Sequence, residues 1–157
     1  MNKFLTLTIE QRRSVFERVG VSVGLPMQAV EKDFWVTVVL QTIFSLPVAQ
    51  HLIFKGGTSL SKAWGIISRF SEDIDLAVNP TCLGAKEGDL TKKQIKKLRK
   101  ASSLFVSEQL TPMLRTRLEE LGLLAFLNVE AQPNGEGDNT YPEPRQIFVR
   151  YQSVFDK

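Results

Sequence analysis

Two aspartates in one short apolar segment are the residues whose type and spacing best indicate chemistry. Asp73 and Asp75 alternate with Ile74 and Leu76. In an extended strand, alternate side chains point to the same face, so both carboxylates would lie on one face and both apolar side chains on the core face. Neighbouring carboxylates repel each other unless a cation lies between them, and Mg²⁺ takes oxygen ligands while keeping positions open for phosphate oxygens. The pair therefore predicts a divalent-metal site, with a solvated surface pair as the alternative.

A glycine pair precedes these aspartates at the end of an apolar segment. Gly56 and Gly57 follow residues 51–55, and Thr58 begins a helical pattern. Backbone N–H groups at such a strand-to-helix turn can hold a phosphate, and glycine lets the backbone approach it closely. The pattern is not a Walker P-loop, because Lys62 stands where that motif has glycine. Many glycine pairs are only turns, but a glycine turn followed by an Asp-x-Asp strand is far more specific.

The elements that must position these residues follow from the apolar spacing and the turn signals. Helices are predicted over residues 7–19, 27–44, 58–67 and 92–121, with 20–26 as a turn, Thr58 or Ser59 as an N-cap, and Pro112 ending or kinking the last helix. Strands are predicted over 51–55, 73–78, 124–131 and 146–155, and Pro142 and Pro144 keep the loop over 132–145 extended. The order indicates a mixed α/β (α+β) chain. We expect a single domain over 1–157, with a helical N-terminal part at 1–45 and a catalytic core at 46–157.

The same spacing predicts which side chains face the core. In the helix over 27–44, the inward residues are predicted to be Val30, Phe34, Val38 and Ile43, with Trp35 and Leu40 near the edge. In the helix over 58–67, they are predicted to be Leu60, Ala63, Trp64 and Ile67. Both tryptophans are interpreted as core residues rather than as platforms for stacking bases.

Length and composition limit the class of protein. The chain has 157 residues, of which 43% are hydrophobic and 24% charged, and one cysteine. This composition excludes collagen-like and intrinsically disordered chains and is sufficient for a packed core. Cys82 alone forms neither an internal disulfide nor a thiolate metal cluster, so we expect a reducing, cytoplasmic setting. The longest apolar stretch, residues 36–49, is too short to span a bilayer, so we expect no membrane association.

Positive charge is concentrated in one part of the chain. Residues 86–117 hold nine lysines and arginines against three acids, a net charge of +6, whereas the whole chain carries only +3. Such a run is often a solvated helix face. The alternative is an electrostatic surface for the phosphates of a nucleotide or a nucleic acid.

The motifs resemble a known family. Gly56-Gly57-Thr58 followed by Asp73-Ile74-Asp75-Leu76 is similar to the signature of the DNA polymerase β-like nucleotidyltransferase superfamily. The segments VEKDFWVT at 30–37, FKGGTSLSKA at 54–63, RFSEDIDL at 69–76 and VRYQS at 149–153 resemble the AbiEii/AbiGii toxin family. Its members are bacterial nucleotidyltransferase-like toxins of abortive-infection and toxin–antitoxin systems. The resemblance covers about residues 30 to 155 and implies a nucleotidyltransferase fold, a mixed sheet flanked by helices.

The resemblance also implies roles for individual residues. In the superfamily an Asp pair holds two Mg²⁺ ions, with Mn²⁺ as an alternative, for in-line displacement of pyrophosphate. By that match Asp73 and Asp75 are the catalytic metal ligands. The implied nucleotide-binding residues are Gly56, Gly57 and Thr58, with Ser59 or Lys62 assisting, and a lysine of the basic helix, for which Lys97 is the first choice and Lys93 the second.

The implied reaction is transfer of NMP from an NTP to an RNA acceptor such as tRNA, or to a protein, by a toxin that an antitoxin partner neutralises. An inactive nucleotide- or RNA-binding module of the same fold is the alternative, and a glycosyltransferase is a third, disfavoured by the glycine turn. The family places a third carboxylate on a strand after the one that contains Val149. We therefore expect this chain to be the N-terminal portion of a longer protein, with Glu130 as the best substitute ligand and Asp156 after it.

Two further features of the sequence have simpler interpretations. Glu31, Lys32 and Asp33 on the second helix are interpreted as an intramolecular salt-bridge set, for which the family resemblance suggests a packing or docking role. His51, the only histidine, is interpreted as a surface residue.

Overall fold

The structure is a computed structural model of this chain, and it describes residues 2–67, 71, 73–85, 88–133 and 145–156. Its helices are α1 (Asn2–Leu5), α2 (Ile9–Val23), α3 (Met27–Phe44), α4 (Gly56–Lys62), α5 (Lys92–Leu104) and α6 (Thr111–Glu120), and its strands are β1 (Leu52–Lys55), β2 (Asp75–Val78), β3 (Leu127–Ala131) and β4 (Ile147–Tyr151). Some residues named above lie outside the described ones: Arg69, Phe70 and Glu72 of the family motif, the first two residues of the basic segment, and the prolines of the loop after β3. None of the described helices combines the length and the apolar character needed to cross a membrane.

The strands form two separate antiparallel pairs. β1 pairs with β2, which returns after α4, and β3 pairs with β4. The α+β class is therefore confirmed. The single mixed sheet that the resemblance implied is not seen among the described strands, because each of them pairs with one antiparallel neighbour and both pairs pack separately against one core.

The core is built around α3, whose buried side chains meet α6 and the strand pairs. Val38 on α3, Leu118 on α6 and Val129 on β3 are among its fully buried members. Trp35 is only 3% exposed, which confirms its interpretation as a core residue. The predicted position of Trp35 and Leu40 near the edge of the apolar face is wrong, because both are buried. The Trp35 ring stacks on Tyr151 of β4 at 5.6 Å. Helical spacing could not reveal that contact, because it depends on a strand more than a hundred residues away.

The turn between α2 and α3, predicted over residues 20–26, is shorter in the structure. A capping box between Thr8 and Gln11 starts α2, and the helix runs to Val23 before Gly24 adopts the left-handed conformation with φ 69°. Gly20 was assigned to the turn but lies buried inside the helix. A Cβ there would come within 2.7 Å of the Leu25 carbonyl oxygen. The glycine thus serves the close approach of two backbones rather than ending the helix.

The middle of the basic segment forms α5, which a π-helical turn over Phe105–Leu110 joins to α6. A capping box between Thr91 and Gln94 starts α5. Pro112 does not end the helical run. Proline lacks the N–H that an α-helical hydrogen bond needs. Just before it, the backbone follows the wider i to i+5 hydrogen-bond pattern of a π-helix, and the backbone N–H and the hydroxyl of Thr111 both donate to the carbonyl of Val106.

β3 begins later than predicted but ends at Ala131 as predicted, whereas β4 is shorter than predicted at both ends. A 3₁₀ turn over Leu123–Ala125 delays β3, and the chain turns at Val154 and Phe155 instead of continuing β4. Hydrogen bonds from Ser153 and Val154 to Glu31 of α3 hold the turn after β4.

Candidate active site

The two aspartates lie where β2 begins. The predicted strand started at Asp73, but β2 starts at Asp75 and Asp73 lies just before it. Both aspartates are exposed, whereas Ile74 and Leu76 are partly buried against the core. The predicted alternation of exposed carboxylates and inward apolar side chains is confirmed.

The glycine turn contacts one of these carboxylates directly. Gly56 begins α4 with φ 75°, a left-handed conformation that favours glycine. A Cβ on Gly56 would overlap the Asp75 carboxylate and lie 2.8 Å from its Cγ atom. The two sequence motifs, nearly twenty residues apart, therefore meet in space at this contact.

Thr58 and Ser59 lie inside α4 rather than at its N-cap, which is Lys55. Both are buried, at 0% and 4% exposure. The Thr58 hydroxyl donates to the Asp73 carbonyl (2.5 Å) and shares a hydrogen bond with the Ser71 hydroxyl (2.8 Å). The Ser59 hydroxyl donates to the Phe54 carbonyl (3.2 Å). The two hydroxyls thus bind the glycine turn to the segment before β2 and to β1.

The helix after the glycines is shorter than predicted and ends at Lys62. Trp64 was predicted to face the core, and this is wrong, because it is 71% exposed. Leu60, inside α4, and Ala63, directly after it, were also predicted to face the core, and both are exposed. The predicted inward face required the helix to continue to residue 67, but after Lys62 the chain no longer follows helical spacing.

Lys62 points to α3, where it makes an ion pair. Its Nζ atom lies 2.6 Å from Oδ1 of Asp33 and 3.0 Å from Oγ1 of Thr37. This pair confirms part of the predicted salt-bridge set on α3. Glu31 behaves differently, since it is 1% exposed and accepts hydrogen bonds from Ser153 Oγ and the Val154 N–H.

The lysines of the basic helix lie on another element. Lys93 and Lys97 are exposed on α5. α5 packs against the 3₁₀ turn Pro80–Leu83 that directly follows β2. His51, expected at the surface, is partly buried in the turn before β1.

Lys55 is a charged residue of this site to which the sequence analysis assigned no role. The register of β1 and β2 pairs Lys55 with Asp75. Directly opposed residues of an antiparallel pair present their side chains on the same face, and both residues are exposed. The sequence motif contained Lys55, but only the strand register shows that it lies opposite Asp75.

Glu130, the substitute for a third carboxylate, lies on the other strand pair. It accepts hydrogen bonds from Arg150 and Asn128, and the Arg150 bond, followed by the Asn128 bond, holds the pKa of Glu130 below its ordinary value. Within the described parts of the chain, no three His, Cys, Asp or Glu side chains are grouped as a metal site.

Two exposed carboxylates suit Mg²⁺ that arrives with a nucleotide, since this ion is commonly held by one or two carboxylates together with substrate phosphates. The contact of Gly56 with Asp75 also leaves the carboxylate face free of a Cβ. The residues present therefore fit a nucleotide-borne metal ion.

A cleft of about 190 Å³ opens beside Asp73. It lies between α3 and β4, and Ile74, just before β2, forms part of its wall. Its lining is mainly apolar and includes Trp35, Val149 and Tyr151. The Asp pair is thus adjoined by a concave apolar surface, the usual setting of a ligand site.

Comparison with protein families provides the deciding observation. The family described as "Nucleotidyl transferase AbiEii toxin, Type IV TA system" matches residues 38–155, well over half of the chain. The chain belongs to the AbiEii family. The match includes the glycine turn, both aspartates and the basic helix of this AbiEii chain, while α2 and the start of α3 with Asp33 precede it. No match was found among curated proteins or among solved structures.

Proposed function

We propose that this AbiEii chain has the nucleotidyltransferase fold and transfers NMP from an NTP to an RNA, with tRNA as the candidate acceptor, in the presence of Mg²⁺. It acts as a toxin that an antitoxin partner neutralises. The contact between Gly56 and the Asp75 carboxylate carries the proposal. It supports a single site made from the two motifs that the resemblance identifies.

The chemistry divides between the aspartates and the glycine turn. The reaction joins an acceptor hydroxyl oxygen to the α-phosphorus and releases pyrophosphate, and bound Mg²⁺ supplies charge neutralisation on the phosphates. Asp73 and Asp75, both exposed at the beginning of β2, hold the metal. Gly56 and Gly57 let the backbone approach the phosphates, and the buried Thr58 and Ser59 hydroxyls keep the turn in place.

An RNA acceptor is supported by the charge of α5. Six basic residues of this helix are exposed: Lys92, Lys93, Lys96, Lys97, Arg99 and Lys100. A dense set of cations on one helix attracts the phosphates of a nucleic acid irrespective of its sequence. Within this set, Lys97 remains our candidate for the nucleotide phosphates.

The test is transfer of label from each NTP to total tRNA in the presence of Mg²⁺. Asp73→Asn and Asp75→Asn keep the side-chain shape but remove the charge, and Asp89→Asn, an exposed aspartate elsewhere in the chain, is the matched control. We expect a loss of at least about 100-fold for the first two, since metal-borne charge stabilisation amounts to several kcal/mol, and no loss for the control. Equal labelling by the wild type and both site variants would remove these aspartates from catalysis.

A second candidate function is a nucleotide- or RNA-binding module without turnover. The observation that favours it is that the described residues bring no third carboxylate to the Asp pair. Its signature is binding of NTP and Mg²⁺ by the wild type with no labelled product, and loss of that binding in Asp75→Asn.

A further inference from the structure

We infer that Lys55 is a further nucleotide-binding residue of this site, and that its ammonium group binds the triphosphate of the NTP. The inference rests on the proposed function and deepens it. Lys55 ends β1 and lies directly opposite Asp75 in the strand register. Opposed side chains share a face with Cβ atoms roughly 5 Å apart, so a flexible lysine side chain reaches the space in front of the carboxylates.

The surroundings of Lys55 leave its side chain available to a ligand. Lys55 is exposed, and it immediately precedes Gly56, the residue that contacts Asp75. The backbone there is held in place, since the Ser59 hydroxyl donates to the carbonyl of Phe54. The backbone beside the lysine is therefore held in place while its side chain is exposed to solvent.

Lys62, another cation near the glycine turn, already has partners within the protein. Lys62 on α4 pairs with Asp33 and Thr37 of α3, so its charge is partly neutralised within the protein. A triphosphate with its metal still carries net negative charge, and an ammonium group beside the phosphates would offset it by charge-assisted hydrogen bonds. Lys55 supplies that charge on the face that carries Asp75.

The alternative is that Lys55 only neutralises the aspartates across the strand pair. The two roles predict opposite effects on two ligands. Lys55→Gln removes a positive charge that competes with a metal ion for Asp75, so binding of Mn²⁺ alone should tighten by about two- to fivefold, the range of an exposed ion pair. If Lys55 also binds phosphates, the same variant should bind the NTP–metal complex about tenfold more weakly or worse, because it loses a hydrogen bond to a charged group.

The experiment measures Mn²⁺ binding by electron paramagnetic resonance and binding of the NTP–metal complex and of the free nucleoside by calorimetry. Lys55→Gln, Lys55→Arg and the control Lys3→Gln, an exposed lysine on α1, are compared with the wild type. We expect Lys55→Gln to weaken NTP binding without changing nucleoside binding, Lys55→Arg to retain most of the NTP affinity, and the control to match the wild type. A rise in KM larger than the fall in kcat is expected in the transfer assay.

Two results would overturn the inference, and they differ in what they say about the proposed function. If the wild type transfers NMP and Lys55→Gln binds NTP as tightly as the wild type, Lys55 is excluded while the proposed function stands. If the wild type binds neither Mn²⁺ nor the NTP–metal complex, both proposals fail together.

Discussion

At Gly56 the backbone passes so close to the carboxylate of Asp75 that no Cβ fits between them. The contact joins the glycine turn to β2, and it depends on a single missing methyl group. A single added carbon atom at Gly56 would overlap the carboxylate, so either the turn or Asp75 would have to move.

Replacement of Gly56 by alanine should therefore damage the site more than the fold. Gly65→Ala is a matched control, because Gly65 also has a positive φ of 61° but has nothing within 4 Å of a Cβ. An alanine in either left-handed position costs roughly 1–2 kcal/mol. Only Gly56→Ala displaces Asp75, so we expect this variant to lose at least about tenfold in Mn²⁺ affinity. A loss of that size is typical when a residue that positions a metal ligand is replaced.

Gly65→Ala should keep that affinity while its melting temperature falls. Wild-type Mn²⁺ affinity in Gly56→Ala would show that Asp75 does not hold the metal.

Glu130 provides a prediction about pH. The hydrogen bond from Arg150, and then that from Asn128, lowers the pKa of Glu130 in the folded protein. A lowered folded-state pKa stabilises the fold at pH values above the ordinary glutamate pKa near 4.3, and this contribution disappears as the pH falls through the folded value. The effect on stability is small because the side chain is exposed.

NMR titration of the Glu130 carboxyl group measures this shift directly. We expect a midpoint below the ordinary glutamate range in the wild type, and a return toward that range in Arg150→Ala. Asn128→Ala should produce a smaller change, because its hydrogen bond is the weaker of the two causes. An identical midpoint in the wild type and Arg150→Ala would contradict the assignment.

At the scale of elements, α3 is the helix that holds the site in place. Asp33 on α3 forms an ion pair with Lys62 of α4. Glu31, two residues before Asp33, accepts hydrogen bonds from Ser153 and Val154 in the turn after β4. Arg13 of α2 donates to the carbonyl of Val154 and secures the same turn. The helix thus connects the glycine-turn helix to the second strand pair.

Glu31→Ala tests this connection. The substitution leaves the N–H of Val154 without its acceptor in a buried position, so we expect a loss of about 2–4 kcal/mol in the free energy of unfolding, from two hydrogen bonds to a charged group. Urea denaturation measures it. Glu31→Gln keeps an acceptor for Val154 and should lose about half as much. A Glu31→Ala protein as stable as the wild type would show that the turn after β4 is held by other contacts.

At the scale of the whole molecule, charge is distributed unevenly. The segment 86–117 carries a net charge of +6 while the remainder is negative overall, and most of these bases lie on the exposed surface of α5. The Asp pair lies at the start of β2 and just before it, and α5 follows β2 after one 3₁₀ turn. The cationic helix therefore follows the Asp pair closely in the sequence, and it packs against the 3₁₀ turn that follows β2.

RNA binding by this surface should depend steeply on salt. Each phosphate contact that is lost lowers the slope of log Kobs against log salt by about 0.7–0.9, so the double variant Lys96→Gln, Lys100→Gln should reduce the slope for tRNA by about 1.4–1.8. Titrations at several salt concentrations measure it, with Lys3→Gln as the control. An unchanged slope in the double variant would indicate that α5 is only a solvated helix face.

The sequence by itself determined the features that depend on neighbouring residues. The alternation of Asp73 and Asp75 with apolar residues, the glycine pair at the end of β1, the bounds of α3 and the family to which the chain belongs could all be read from local pattern. Strand alternation, turn chemistry and helical spacing act over a few residues, so the necessary information lies within each segment.

Only the tertiary structure decided which distant segments meet. It placed Lys55 opposite Asp75, paired Lys62 with Asp33, buried Trp35 beneath β4 and left Trp64 exposed. Strand register and burial depend on the packing of segments far apart in the chain, and periodicity within one segment carries no information about the partner that covers it. For that reason the exposed pattern of the Asp pair was predictable from the sequence, whereas the lysine opposite Asp75 was not.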